Sequence, residues 1–491
     1  MMFSRKMPRD KKNGVAEGFA WVFLERISAQ LVSTVVSIIL ARILLPSDYG
    51  LIAIVNIFIV FADVFLVYGF NNALIQKKDA DELDYSSVLY FNIFLTVILY
   101  LILFFCAPWL SEFYGDGYEL LTPVLRVLGL RLIINGINSV QQAYVSKKMI
   151  FRLFFFSTMG GTVISAIIGI AMALSGFGVW ALVAQTLSSI FVNTIILTIL
   201  LQWKPLLKFS YSRLKSLWRY GSFMLVSGIL MRAFEEIRAL IIGKKYSLDE
   251  FAFYEKGKQF PALIVNNINT AIGTVLFPKL SNEQDSIVKL KQTTRSSIKF
   301  SSFVMCPLLL GFLVIAENFV IVVLTAKWLP AAKLLQCFCL FYLFQPMHTA
   351  NIQAIKALGR SDIFLKLEIF KKSIEIIALI ITISISVNAI VYGMATLSFL
   401  FVFVNAYPNI KLLNYNIKEQ CEDMFIPLIN AAIMAAAIWI IDFLPMPDLW
   451  QMIIQIIAGA VIYILLNIIE KNEQFEYLWS LAKSKFIIIR R

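Results

Sequence analysis

Charge is what this chain has least of. Only 15% of its 491 residues are charged, against 59% from the apolar set, and mean hydropathy is +0.78. A soluble domain carries nearer a quarter charged residues, so a water-soluble enzyme is excluded, and so is a disordered chain. One histidine and five cysteines leave no ligand cluster for a metal or haem, and no cofactor is expected. Cys106, Cys306, Cys337 and Cys339 fall in apolar runs and Cys421 in an expected loop, an arrangement unlike a disulfide framework. The phosphate-loop lysine motif and the G-x-S-x-G elbow are missing too, so nothing points to ATP hydrolysis or a serine nucleophile. The net charge of +13 would suggest nucleic acid in a soluble protein. Here the basic residues sit in short loops between apolar runs, where they act as retention signals, and no nucleic-acid partner is expected.

Hydrophobic length is what the sequence has in quantity. A crossing needs about 20 mainly apolar residues. Fourteen segments meet that reading: 20–44, 50–74, 85–110, 120–146, 153–174, 178–201, 218–243, 251–278, 300–325, 331–355, 364–386, 389–411, 424–444 and 449–469. The first is too long for a cleaved signal peptide and carries Glu25-Arg26. Lysine and arginine are retained on the cytoplasmic side. With the N-terminus inside, the even-numbered loops and both tails hold most of the 44 basic residues; the outer loops hold only Lys244, Lys245 and Lys327. Both termini are therefore expected in the cytoplasm. The outer loops are short, which leaves little room for a glycan-modifying active site.

A weak repeat runs at an offset near 200 residues. Ser47-Asp48-Tyr49-Gly50-Leu51 before one span matches Asp249-Glu250-Phe251-Ala252-Phe253 before another. Gln142-Ala143 followed by Lys147-Lys148 and Phe151 matches Gln353-Ala354 followed by Arg360 and Phe364. Chance likeness between apolar helices is the competing explanation. The expected fold is an all-α integral membrane protein of about 14 transmembrane helices, with two pseudo-symmetric six-helix lobes around a central cavity plus two peripheral helices. The expected boundaries are a basic tail 1–19, an N-terminal lobe 20–203, a linker 204–217, a C-terminal lobe 218–411, peripheral spans within 424–469 and a tail 470–491.

A charge at the centre of a span costs about 2.5–3.5 kcal/mol on insertion scales, so each one needs a reason. Helical spacing gathers Arg26, Gln30, Ser33 and Ser37 in the first span, and Asn56 and Asp63 in the second. Arg131, Asn135, Asn138 and Gln142 share a face of the fourth, and Arg232, Glu235, Glu236 and Arg238 group in the seventh. Glu255, Gln259, Asn266 and Asn269 align in the eighth, and Gln345, His348 and Asn351 in the tenth. Lipid cannot face these stripes, so spans 1, 2, 4, 7, 8 and 10 are expected to line one polar cavity. Arg26, Arg131, Arg232 and Arg238 are the candidate anion-binding residues, since a guanidinium fork suits phosphate and carboxylate oxygens. Asn135, Asn138, Gln142, Gln259, Asn266 and Asn269 are candidates for sugar hydroxyls. Asp63, Glu235 and Glu236 are candidates for ion coupling. Each has a structural alternative: Arg26 can snorkel to the surface, Glu235 and Glu236 can neutralise Arg232 and Arg238, and the amides can join helices. His348 is expected as a hydrogen-bonded helix histidine, and Lys371 and Lys372 as partners of Glu368 and Glu375.

Four stretches carry a family resemblance. They are Ala41-Arg42-Ile43-Leu44-Leu45-Pro46-Ser47-Asp48-Tyr49-Gly50-Leu51-Ile52-Ala53, Gly176-Phe177-Gly178-Val179-Trp180-Ala181-Leu182, Leu276-Phe277-Pro278-Lys279-Leu280-Ser281 and Ala357-Leu358-Gly359-Arg360-Ser361-Asp362. In this order they resemble the Wzx-type polysaccharide flippases, including the colanic acid and teichuronic acid branch of the multidrug/oligosaccharidyl-lipid/polysaccharide exporters. The resemblance implies transport, without enzymatic activity, of an undecaprenyl-pyrophosphate-linked oligosaccharide repeat unit across the bacterial inner membrane by alternating access. It implies that pyrophosphate and acidic sugars meet the arginines, and that the polyprenyl tail follows a groove formed with spans 13 and 14. Lipid-linked oligosaccharide, membrane lipids and polysaccharide polymerase machinery are the implied partners. The rivals are an ion-coupled drug or cation antiporter of the same superfamily, which would want an acidic cavity, and a membrane glycan polymerase or glycosyltransferase.

Overall fold

The computed structural model describes residues 11–66, 70–77, 79–201, 203–283, 285–476 and 479–480, and among these there is no strand. The chain divides into two compact units, 1–252 and 253–491. The first holds α1 (Lys11–Ile43), α2 (Pro46–Leu66), α3 (Asn72–Gln76), α4 (Glu82–Tyr114), α5 (Leu121–Leu128), α6 (Leu130–Lys148), α7 (Arg152–Leu174), α8 (Val179–Leu200) and α9 (Tyr211–Lys245). α10 (Leu248–Asn282) begins at the end of that unit and continues into the next. The second holds α11 (Ile287–Val314), α12 (Ala316–Phe319), α13 (Leu329–Tyr342), α14 (Gln345–Ala357), α15 (Ser361–Thr382), α16 (Val387–Leu413), α17 (Ile417–Trp439) and α18 (Asp448–Ile469).

Ten of the described helical segments are long and apolar enough to cross a membrane, and the chain is an all-α, multi-pass membrane protein. The other segments read as spans are helical as well. α9, α10 and α15 carry more charge, and α13 and α14 are two short helices parted near Phe344. Several helices outrun the hydrophobic stretch that announced them. Lys289, Lys291, Arg295 and Lys299, expected in a loop, lie on α11, and Cys421, also expected in a loop, lies exposed on α17. The reason is electrostatic pairing across two helices: Lys291, Arg295 and Lys299 recur every four residues and meet Glu419 and Asp423, also four apart.

Local chemistry sets the helix ends. Asp81 accepts from the Asp84 N–H at 2.9 Å, and Asp84 accepts from the Asp81 N–H at 3.1 Å, a reciprocal cap that starts α4. That hydrogen bond from Asp84 holds the Asp81 carboxyl below the usual carboxylate range. The first unit is closest-packed where α7 meets α8. Ser157, Gly161, Ser165, Gly169 and Ala173 form a buried small-residue stripe at intervals of four. A Cβ on Gly161 would meet the Ser189 carbonyl oxygen at 2.7 Å, and one on Gly169 would meet the Gln185 Cβ at 2.9 Å. Side chains any larger would push α8 away.

In the second unit α11 and α17 are clipped by charge. Arg295 donates to both oxygens of buried Asp423 at 2.7 and 2.9 Å, and the Tyr415 hydroxyl adds a third bond at 2.7 Å. Lys291 reaches Glu419 at 2.9 Å. His348 is buried between α14 and α16: its Nε2 faces the Ser398 carbonyl at 3.1 Å and its Nδ1 faces the Asn405 amide at 2.8 Å. A carbonyl only accepts, so Nε2 carries the proton and the ring serves as a helix-joining histidine. Lys371 and Lys372 pair with Glu368 and Glu375 as expected, at 2.5 and 2.9 Å.

The repeated motifs occupy equivalent local positions. Asp48 Oδ2 accepts from the Leu45 N–H at the start of α2, and Glu250 Oε2 from the Ser247 N–H at the start of α10. α6 ends at left-handed Met149 (φ 55°), while left-handed Gly359 (φ 71°) follows α14.

Candidate functional site

The first unit contains a polar cavity of about 340 Å3 between α1, α6, α7 and α8. Among the described residues, Arg131 on α6 is its one charged lining residue. Ser33 and Val36 come from α1, Thr162 and Ser165 from α7, and Gln185, Thr186, Ser189, Ile190 and Asn193 from α8. Gln185, Ser189 and Asn193 recur every four residues, so one face of α8 supplies them. The small-residue stripe of α7 brings that face close enough to form the wall.

Arg131 is anchored from behind. Asp63 on α2 approaches its Nη2 at 3.6 Å, and the other Asp63 oxygen accepts from Asn135 Nδ2 at 2.8 Å. Expected members of two separate stripes thus meet in one cluster. Asn138 has a different environment: it is fully buried, donates to Asn193 at 3.0 Å and accepts from Gln142 Nε2 at 2.6 Å. Asn138 therefore ties α6 to α8, which matches its structural alternative, while Gln142 is exposed and braces Asn138 from within α6.

The remaining candidates are spread over other elements. Arg26 is exposed on α1. Arg232, Glu236 and Arg238 are half-buried on α9, and each is engaged by a neighbouring group. The side chain of Glu235 lies outside the described residues. In the second unit Gln259 accepts from buried Lys256 at 3.1 Å, Asn266 is exposed, and Asn269 accepts from Thr349 at 3.3 Å. Among the described residues no group of three or more His, Cys, Asp or Glu side chains is placed to hold a metal ion.

The sequence reading missed the α7 and α8 contribution. Its signal was the run Gln185, Ser189, Asn193 opposite Gly161 and Gly169, but uncharged polar residues stand out less than arginines in an apolar helix. The second unit carries an apolar cleft of about 430 Å3 between α11, α17 and α18, closed at one side by Ile264 of α10. Leu308, Phe312, Met434, Ile456 and Ile464 supply much of its wall. Pro307 and Gly459 line it as well.

A family described as "Polysaccharide biosynthesis protein" matches residues 39–333. The chain belongs to that family. Teichuronic acid biosynthesis protein TuaB of Bacillus subtilis (strain 168) is 24% identical over 92% of this chain and 95% of its own length. Lipopolysaccharide biosynthesis protein WzxC of Escherichia coli (strain K12) is also 24% identical, over 70% of each chain. Among solved structures, lipid II flippase MurJ in an inward closed conformation superposes with a TM-score of 0.72. That superposition covers 93% of this chain and 99% of MurJ at 15% identity, a likeness of fold. Family membership and fold agree with the resemblance carried by the four sequence stretches.

Proposed function

We propose that this protein is a flippase for lipid-linked oligosaccharide repeat units in surface polysaccharide biosynthesis, working from the inner to the outer leaflet of a bacterial cytoplasmic membrane. The observation that carries the proposal is the coexistence of two unlike surfaces in one chain. A polar cavity with one guanidinium suits a hydrated glycan headgroup, and an apolar cleft beside α17 and α18 suits a polyprenyl tail. A flippase substrate needs both, because its headgroup cannot enter hydrocarbon and its tail cannot leave it. The lysine and arginine distribution supports cytoplasmic termini and an even number of crossings, for which fourteen is the proposed value. Fold likeness to a flippase and family membership support alternating access, in which the polar surface meets one side of the membrane and then the other.

Within this reading Arg131 is the anion contact of the polar cavity, and Arg26, Arg232 and Arg238 are the candidate contacts for the pyrophosphate. Asn135, Gln259, Asn266 and Asn269 are proposed as glycan-facing, and Asp63, Glu235 and Glu236 as coupling residues. The protein performs no covalent step; polysaccharide polymerase machinery takes the product at the outer face.

The test is removal of the chain from its native host. Surface polysaccharide is expected to disappear while lipid-linked repeat units accumulate facing the cytoplasm, as read by mass spectrometry of extracted lipids and protection from an impermeant glycosidase. Accumulation of those units facing outward would instead mark a polymerase.

A further inference from the structure

The proposed substrate has two polar parts, a sugar chain and a diphosphate, and the cavity between α1, α6, α7 and α8 does not suit them equally. Among the described residues its only lining cation, Arg131, already faces the Asp63 carboxylate at 3.6 Å, so the pair brings no net charge. A diphosphate carries more than one negative charge and needs several cations for its desolvation. One neutralised guanidinium falls short of that. A cationic guest is served no better, because the Asp63 carboxylate is taken by Arg131 and Asn135.

What the walls offer is hydroxyl and amide chemistry beside small apolar patches. Gln185 and Ser189 lie on one face of α8, Ser33 faces the cavity from α1, and Val36 and Ile190 complete it. A sugar ring has the matching surface, with hydroxyls at its edge and C–H groups on its face. The volume of about 340 Å3 lies at the lower end of ligand pockets, enough for a short portion of a repeat unit. Asp63 reaches Arg131 through one long contact, and a guanidinium has five donors, so a paired acceptor remains to be supplied by the guest.

We infer that this cavity is a sugar subsite, taking one ring that bears a carboxylate, with Arg131 receiving the carboxylate and Gln185 and Ser189 the ring hydroxyls, and that the diphosphate is held elsewhere. The inference rests on the flippase reading and assigns specificity to α8, which the stripes of charged residues did not indicate.

The experiment is saturation-transfer NMR on the purified full-length protein in lipid nanodiscs, with glucuronate as probe and inorganic pyrophosphate as competitor. Glucuronate is expected to bind and to persist in excess pyrophosphate. Gln185→Leu and Ser189→Ala are each expected to weaken it about tenfold, the loss of one buried hydrogen bond. Ser189→Ala is the gentler change and keeps the test open if Gln185→Leu fails to fold. Absence of glucuronate binding, displacement by pyrophosphate, or wild-type affinity in both variants would overturn the subsite. If removal of the chain still leaves lipid-linked repeat units accumulated facing the cytoplasm, transport stands while the subsite falls. If polysaccharide is unaffected, the transport reading itself fails.

Discussion

Arg131 and Asn138 sit two turns apart on α6, yet their environments separate a cavity-lining side chain from a helix-packing one. Arg131 lines a cavity and keeps donors to spare, whereas Asn138 is buried and bonded to Asn193. Arg131→Ala is expected to leave protein levels near normal and to cut surface polysaccharide about tenfold or more, the scale of one lost charge-assisted contact. Arg131→Lys is expected to restore little, because an ammonium lacks the fork that grips a carboxylate with two parallel bonds. Quantitative immunodetection of surface polysaccharide checks both. Asn138→Ala should behave in the opposite way. It removes an interhelical hydrogen bond worth about 1 kcal/mol in a membrane interior, so thermal stability in detergent falls while export continues at the normal growth temperature. An export defect without a stability change would place Asn138 on the substrate path instead.

At the scale of elements, two helix pairs depend on different forces. α7 and α8 hold together through the absence of side chains, and Gly161→Leu is expected to force α8 outward, because its Cβ would meet a backbone carbonyl at 2.7 Å. The measurable outcome is loss of monodisperse protein on size exclusion. α11 and α17 hold through charge. Asp423 is 2% exposed, so Arg295→Met leaves a buried carboxylate short of its main donor and costs about 3–5 kcal/mol. Lys291→Met disturbs a pair that is 23% and 29% exposed, worth about 1 kcal/mol or less. Thermal denaturation of the two variants should therefore rank Arg295→Met well below Lys291→Met. The turn between α14 and α15 has a third device. Arg360 donates to both Asp362 oxygens at 2.9 and 2.8 Å, holding that carboxyl at about 2. Its pKa lies below the unfolded value, so whatever the pair contributes is complete above that unfolded value and fades only as pH falls towards about 2. Changes of pH around neutrality leave it intact.

For the molecule as a whole, orientation is the property with the widest consequences. Cys421 is exposed near the start of α17, beside Lys418, whereas Cys306, Cys337 and Cys339 are buried. With cytoplasmic termini, an impermeant maleimide is expected to label Cys421 in inside-out vesicles and to leave it unlabelled in intact spheroplasts. Labelling from outside would invert the proposed direction of every helix. The apolar cleft of α11, α17 and α18 belongs to the same scale, since a tail surface serves a flippase only together with a headgroup surface.

The sequence by itself determined the class of molecule. Apolar runs long enough to span a bilayer, short basic loops and four ordered family stretches were sufficient, because the bilayer permits few backbone solutions and each leaves a linear signature. It also singled out Asp63, Arg131 and Asn135 as polar candidates, which the structure brings into one cluster, since polar groups within an apolar helix are conspicuous. The tertiary structure decided which polar residues share a space. Asn138 lies on the same helical stripe as Arg131, and only the neighbouring helix turns it into a packing group. Gln185 and Ser189 become a cavity wall only because Gly161 and Gly169, some twenty residues earlier, let α7 approach without side chains. Periodicity along one helix records which residues share a face; what that face meets depends on the shape of another helix.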